Sequence, residues 1–402
     1  MDLELKNKKY RDYILQLFRQ GPSEIKPLNG IRAISMLLII ACHIWVVVAA
    51  LLPENDKPEI VKHFMENLVS GVDLFFILSG FLIYKILYTE YSQNQKIDFK
   101  KFFLKRSFRI FPIYYFFLIL TFLISQLTVF AYEKKGSLSN IDQFVLYEIK
   151  EHISLFRFDF LYISNFFNSF HPHTWSLSVE EQFYLIFPFL SVFLLHYKRI
   201  RRLQILTASY FLPLIFRIVF YYDIFGLEPS ELILHNSILT RFDSLIVGIF
   251  LYEIYLWFLE DKRPIPYIKL FLPVSFFGLI ALHSFSFDKN VFHEVFHYNI
   301  LHIGFFMIAY SSIIRKSFWS DFLSSNFWTP LARLSYSIYL WHILIFGGIF
   351  GKTALSTKTD GNIFYFVSSS FKGFAITIII ALISYAIIEV PFFMVRDKLT
   401  DT

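Results

Sequence analysis

Residues 30–52 read GIRAISMLLIIACHIWVVVAALL and carry only two ionisable groups, Arg32 and His43. An α-helix needs roughly 20 predominantly apolar residues to cross the hydrocarbon of a bilayer, and this stretch supplies them. Eleven residues at 100° each make three turns plus about 20°, so Arg32 and His43 lie on one helical face, about 16.5 Å apart along the axis. One can hold an anionic group near a helix end while the other does chemistry deeper in the membrane. Alternatively, a lone intramembrane histidine is a hydrogen-bonded packing residue.

Similar runs occur near 68–88, 109–131, 176–196, 203–222, 236–258, 268–286, 296–314, 332–350 and 372–390. The expected fold is therefore an all-α integral membrane protein, a bundle of about ten transmembrane helices around a central polar cavity. Composition agrees. Of 402 residues, 55% are hydrophobic and only 17% charged, too few charges to solvate a soluble surface of that size. Mean hydropathy is +0.51. Cys42 is the only cysteine, which excludes a disulfide within the chain and a thiolate metal site. No metal ligand set is expected.

Lys and Arg set the orientation. The segments at 6–26, 96–109, 198–202, 262–269, 315–333 and 396–398 hold 24 basic residues, starting with Lys6 and Lys8. The alternate segments hold nine: Lys57, Lys62, Lys134, Lys135, Lys150, Arg157, Lys289, Lys352 and Lys358. Both termini are thus expected in the cytoplasm, with the chain in an inner membrane. Because the net charge of +6 follows this pattern, it calls for no nucleic-acid partner. No cleavable signal is expected, since about 28 polar residues precede a run long enough to span. Tyr13, Ile14, Leu17 and Phe18 at helical spacing among basic residues read as an amphipathic helix on the cytoplasmic leaflet. The long connection 132–175 contains LFRFDFLYISNFF, which reads as a half-buried interfacial helix or lid.

Several ionisable residues fall inside the spans, among them Arg32, His43, Asp73, Glu180, Glu181, Arg241, Asp243 and His342. Each costs about 2.5–3.5 kcal/mol at a helix centre, so such groups usually line a polar cavity and serve function. Arg241 and Asp243 could instead pair to hold helices together. Glu180, near the outer end of its span, is expected at a depth comparable with His43 and on one face with Tyr184. A carboxylate beside an imidazole fixes its tautomer and raises its basicity. The other reading is helix N-terminal chemistry, with Ser176 as the cap.

In order along the chain stand LNGIRAISMLLIIACHIW, GVDLFFILSGFLI, KRSFRIFPIYY, TWSLSVEEQFYL, LTRFDSLIVG, LSYSIYLWH and IEVPF. Seven motifs in register make the chain resemble acyltransferase family 3, the membrane O-acyltransferases, over nearly its whole length. Ala332 stands where glycine is common, and Val390 where a basic residue often follows the Glu. The resemblance implies that an acyl group, usually acetyl, passes from acyl-CoA on the cytoplasmic side to a hydroxyl, often of a surface or secreted glycan. Acyl-CoA would be a co-substrate and not a resident cofactor. By position, His43 matches the family's catalytic histidine, Arg32 its paired basic residue, and Arg106 and Arg109 its RxxR pair.

Glu180 is the expected assistant to His43 as general base, although a covalent acyl-histidine stays open. Arg32, Arg106 and Arg109 are the expected acyl-CoA-binding residues. Asp73, Tyr184, Arg241, Asp243 and His342 are the candidate substrate-binding residues. Residues 1–29 are expected to form a cytoplasmic amphipathic segment, 30–392 the transmembrane acyltransferase domain, and 393–402 a short cytoplasmic tail. Some members carry an external esterase-like domain. None is read here, so the membrane domain is expected to act alone or with a separate acceptor-side partner protein. The rival classes are a transporter with an intramembrane charge relay, which inverted repeats would favour, and a polytopic glycosyltransferase.

Overall fold

A computed structural model describes residues 9–22, 24–49, 58–135, 137–226, 231–284, 291–355 and 363–400. Lys6, Lys8, Lys57, Lys289 and Lys358, which contribute to the basic asymmetry, lie outside the described residues, as do the expected span ends at 50–52 and 285–286. The described residues are helical, with no strand among them. In chain order the helices are α1 (Tyr10–Gln16), α2 (Pro27–Ala49), α3 (Glu59–Asn67), α4 (Gly71–Asn94), α5 (Phe99–Glu133) and α6 (Asn140–Ser154). Then come α7 (Phe156–Phe160), α8 (Trp175–Leu195), α9 (Arg199–Tyr221), α10 (Glu231–Asn236), α11 (Ile238–Asp261) and α12 (Ile268–Ser284). The last are α13 (His297–Ile314), α14 (Phe318–Leu323), α15 (Trp328–Leu355), α16 (Ile363–Ser384) and α17 (Val390–Thr400). Short π-helical turns at Phe292–Phe296 and Tyr385–Glu389 lead into α13 and α17.

Seven stretches of the described residues are long and apolar enough to cross a membrane: 27–49, 59–94, 99–133, 172–195, 199–221, 232–261 and 366–400. This is a membrane protein by those helices. Helices also stand at the three remaining expected spans, α12, α13 and α15, but they are not in that set. Several helices outrun their apolar runs. The second expected span, 68–88, lies within one helical stretch from Glu59 to Asn94. The third begins at Phe99, where Asp98 caps α5 by accepting the Lys101 N–H at 2.9 Å. Hydropathy marks where hydrocarbon starts, whereas capping marks where the helix starts.

Burial shows which faces meet lipid. On α8, Leu185, Ile186, Phe189, Leu190 and Phe193 are exposed, while Glu180, Tyr184, Phe187 and Ser191 are buried. Such a helix would be unstable in water and is at home between lipid and a polar interior. The closest helix crossing joins α4 to α11. A Cβ at Gly80 would overlap the Leu245 carbonyl oxygen, and one at Gly248 the Ile77 carbonyl oxygen. Only glycine lets these two backbones touch, and their contact positions Asp73 against Arg241 and Ser244.

The N-terminal amphipathic helix forms, but its buried face meets protein. Tyr13 and Leu17 pack beneath α15–α17, Tyr13 Oη donates to Asp397 Oδ2 at 2.7 Å, and Tyr10 Oη donates to the Ala386 carbonyl at 2.9 Å. Of its large apolar side chains, Tyr10 and Phe18 stay exposed, beside the exposed Lys9, Arg11 and Arg19. Docking on the C-terminal helices thus replaces much of the lipid contact expected from its pattern.

Candidate active site

His43 of α2 meets His342 of α15. The rings lie nearly parallel and edge to edge, 5.0 Å between centroids with an interplanar angle of 12°, and His43 Nδ1 lies 2.7 Å from His342 Nε2. His342 Nδ1 lies 2.6 Å from the Tyr339 carbonyl oxygen. A carbonyl can only accept, so with both rings neutral His342 carries its proton on Nδ1 and presents a lone pair at Nε2. That lone pair accepts the Nδ1–H of His43. The remaining nitrogen, His43 Nε2, is then left with its lone pair outward. His342 itself is fully buried, whereas His43 is partly exposed. The arrangement holds His43 in one tautomer through a second imidazole, which is what a general base requires.

Tyr339 ties this pair to the start of α8. Its hydroxyl donates to the His173 carbonyl at 2.6 Å and lies 2.7 Å from Ser176 Oγ. The His173 ring is 5.6 Å from that of His342 and 5.8 Å from that of His171, and neither of its buried nitrogens has a hydrogen-bond partner. The connection 132–175 delivers these residues. Asp159 of α7 accepts from the Phe170 N–H at 2.8 Å, the His171 N–H at 3.3 Å and the Thr174 hydroxyl at 2.6 Å, pinning the chain just before α8. Burial pushes the Asp159 carboxyl up to about 6, although the three donors pull the other way. The aromatic stretch expected as a half-buried helix or lid thus forms α7 and the following turn. Its Asp159 is buried, while Phe160, Leu161 and Phe167 are exposed.

The structure does not bring Glu180 to His43. Its Oε1 accepts from the Ser79 hydroxyl and from Tyr184 Oη, the latter at 3.1 Å. Depth along the membrane normal suggested contact, but depth says nothing about rotation around the helix axis, and His342 occupies the place beside His43. Glu180 and Tyr184 share a face as expected and belong to a second layer. There the Arg106 guanidinium sits 4.1 Å above the Tyr184 ring, and Arg32 lies within Coulombic reach of Glu180, Tyr184 and Arg106. Arg109 is within reach of Arg32, Arg106 and Glu389. The buried Nε atoms of Arg32 and Arg106 have no hydrogen-bond partner. Between the histidine and arginine layers is a cavity of about 20 Å3, lined by Ser176, Glu180, Tyr339, Phe75 and Tyr336 among others. That holds about one water.

A larger polar pocket of about 510 Å3 lies between α3, α4, α10 and α13. Asp73, Arg241, Trp175, Tyr298 and His297 are among its lining residues. Arg241 Nη2 donates to both Asp73 oxygens, at 2.8 and 2.9 Å, and its guanidinium packs 4.1 Å from the Tyr298 ring. Asp243 does not line this pocket. It takes a 2.8 Å ion pair from Arg217 of α9 instead. The suspected Arg241–Asp243 pair is therefore two pairs with different partners. His342 belongs to the imidazole pair with His43 and is not on the polar pocket's wall. His173, Tyr339, Ser79, Arg217 and His302 were not singled out from the sequence. His173 and Tyr339 stand beside or within quoted motifs, so motif adjacency was the available signal. Among the described residues, no three His, Cys, Asp or Glu side chains are grouped to hold a metal ion.

The family model described as an acyltransferase domain matches residues 25–388. The chain is 28% identical over 393 residues to O-acetyltransferase OatA of Staphylococcus aureus strain NCTC 8325 / PS 47, covering 92% of this chain and 57% of that protein. O-acetyltransferase OatA of strain COL gives the same identity and coverage. The chain thus spans somewhat over half the length of the curated relatives it matches. No solved structure matches it. Paired imidazoles, a neighbouring arginine layer and a match over most of the chain lead to one assignment: the chain belongs to acyltransferase family 3.

Proposed function

We propose that this chain is a membrane O-acyltransferase. It moves an acyl group, acetyl in the first instance, from cytoplasmic acyl-CoA to a hydroxyl of a surface or secreted glycan. The carrying observation is the hydrogen-bond chain from the Tyr339 carbonyl through His342 to His43, which leaves His43 Nε2 as an oriented base. In the reaction, the acceptor oxygen attacks the thioester carbonyl while His43 Nε2 takes the hydroxyl proton. A C–O bond forms and the C–S bond breaks. His43 then returns the proton to the departing thiolate, giving free CoA thiol and the acyl ester.

Arg106 and Arg109 would take the phosphates of CoA through charge-assisted forks, and Arg32 would guide the arm inward. Glu180, Ser79 and Tyr184 would set the charge and hydrogen bonding of that layer. The 20 Å3 constriction is far too small for a pantetheine arm, so side chains such as Phe75 and Tyr336 would rotate as it enters. The 510 Å3 pocket would receive the acceptor, with Asp73 and Arg241 on its wall and Asp243 supporting that wall from behind. In this reading α12, α13 and α15 complete a ten-span bundle around the polar interior. It lies in an inner membrane with both termini cytoplasmic, as the basic asymmetry supports.

Two measurements on purified protein test the proposal. Acetyl-CoA should raise the thermal midpoint of the parent and of His43→Ala alike, while only the parent should release CoA thiol with a hydroxyl acceptor. A parent that acetyl-CoA does not stabilise, or a folded His43→Ala variant with parental thiol release, would sink it.

A further inference from the structure

A second large cavity, of about 470 Å3, lies between α9, α11 and α13. Leu214, Val247, Phe250 and Phe306 are among its apolar lining residues. Its lining residues Phe211, Phe296 and Ile303 are exposed. In a bilayer such a cavity opens sideways into hydrocarbon, and its volume is that of a ligand pocket. What stands at that opening is a lipid chain. The few polar side chains that border it are internally satisfied: Asn299 Nδ2 donates to Tyr210 Oη at 2.8 Å, and Arg217 Nη2, behind the cavity, donates to Asn299 Oδ1 at 3.0 Å. Pairing of this kind lets polar groups lie against a hydrocarbon chain without a large penalty.

The second observation is where this cavity stands. The π turn Phe292–Phe296 and the first turns of α13 serve two cavities at once. Phe296 and Asn299 line the apolar one, whereas His293, His297 and Tyr298 line the 510 Å3 polar pocket. Below that shared rim, Ser244 links a residue of each cavity. Ser244 Oγ lies 2.8 Å from His302 Nε2 and donates to Asp73 Oδ1 at 2.9 Å. His302 faces the apolar cavity and Asp73 the polar pocket. Charge in the polar pocket is partly self-cancelling, because Arg241 and Asp73 neutralise each other. The pair of cavities therefore matches one amphiphile that straddles the π turn: a hydrocarbon chain in the first and an uncharged polar head in the second.

We propose that the acceptor is lipid-anchored and enters laterally from the membrane between α9 and α13, its chain seated in the apolar cavity. This deepens the acceptor half of the function proposed above and rests on it. The probes are an octadecyl β-glucoside carrying a mid-chain diazirine and, for comparison, methyl β-glucoside, both offered to the full chain in nanodiscs. Photolysis should crosslink the octadecyl probe to peptides of α9, α11 or α13. Val247→Trp fills the cavity from α11 and Leu214→Trp from α9, so failure of one variant to fold leaves the other. Each should abolish that crosslink and raise the KM for the octadecyl acceptor at least tenfold, with the acetyl-CoA KM unchanged. Crosslinks scattered over other helices overturn lateral entry. So does an octadecyl acceptor used no better than the methyl one, or two folded Trp variants with parental KM. These results in a protein that still releases CoA thiol leave the acyltransferase reading intact, whereas no thiol release with any acceptor defeats that reading itself.

Discussion

His342→Ala removes the group that fixes the tautomer of His43, and its cost can be worked from the geometry. The 2.7 Å bond between the rings is lost, and the His43 Nδ1–H is left in a buried setting without its acceptor. An unsatisfied buried donor costs about 1–3 kcal/mol, or roughly one to two decades in rate if the strain falls on the transition state. The proton is then also free to move to Nε2, which silences the base in that fraction of molecules. General-base catalysis contributes roughly 10²–10⁴-fold, which caps the loss. The expected fall in kcat is on the order of 10²–10³-fold, with the acetyl-CoA KM within about twofold because the arginine layer is untouched. His342→Gln offers an amide oxygen where Nε2 stood and should recover at least about one decade. The assay is thiol release against acetyl-CoA concentration, on protein whose thermal midpoint matches the parent. A folded His342→Ala variant with parental kcat, or a Gln variant no better than Ala, would refute the role assigned to this hydrogen-bond chain.

Exchanging Arg106 and Arg109 together for Lys keeps the charge but loses the planar fork, so the acetyl-CoA KM should rise about tenfold while the acceptor KM stays put in steady-state kinetics. Gly248→Ala forces a methyl group against the Ile77 carbonyl and should cost about 1–3 kcal/mol, seen as a lower thermal midpoint. Gly278→Ala, with nothing within 4 Å of the added carbon, is the matched control and should be neutral. Asp159 makes stability depend on pH. Its folded value of about 6 exceeds the ordinary 3.8, so between those values the folded state keeps a proton that the unfolded chain has lost. Stability should therefore be highest below about 4, fall by about 3 kcal/mol as pH rises through 6, and flatten above. In thermal melts across pH 4–7, Asp159→Asn should remove that contribution to the slope; an unchanged slope would contradict it.

Helix identity was legible because a bilayer imposes a length and a composition, and each of the ten apolar runs contains a helix in the structure. Boundaries were less legible. The stretch Phe99–Arg109 is basic and reads as a loop, yet it continues α5 beyond the apolar run. Helix axes can be counted out from sequence, and on α2 that count sets Arg32 and His43 on a common face. Rotation between helices cannot be counted in this way. Asp73 and Arg241 are 168 positions apart, and His43 and His342 are 299 apart. Nothing in a hydropathy pattern distinguishes Asp73 from Asp243 as the partner of Arg241. Nor does it rank Glu180 against His342 as the neighbour of His43. Those choices follow from which helices touch, and the α4–α11 contact through Gly80 and Gly248 decides the first of them.

The same residue type stands in two settings in the molecule, and ion pairing tells them apart. Arg217 is fully buried, donates to the Val295 and Thr240 carbonyls, and pairs with Asp243. Arg241 pairs with Asp73 through Nη2, although its buried Nε has no hydrogen-bond partner. Removing either partner would strand a buried charge, which makes these pairs braces between helices. Arg32, Arg106 and Arg109 differ. Among the described residues none of them forms an ion pair within 4 Å, although Glu180, Glu181 and Glu389 are nearby in charge terms. Two of the three keep a buried Nε without a partner, as Arg241 does, so the missing carboxylate is what sets them apart. Native interiors rarely leave such donors unmet. Guanidinium groups gathered without a carboxylate partner are what an anionic co-substrate would complete. The ion-paired arginines hold the scaffold, and under the proposed function the unpaired ones are where the donor should bind.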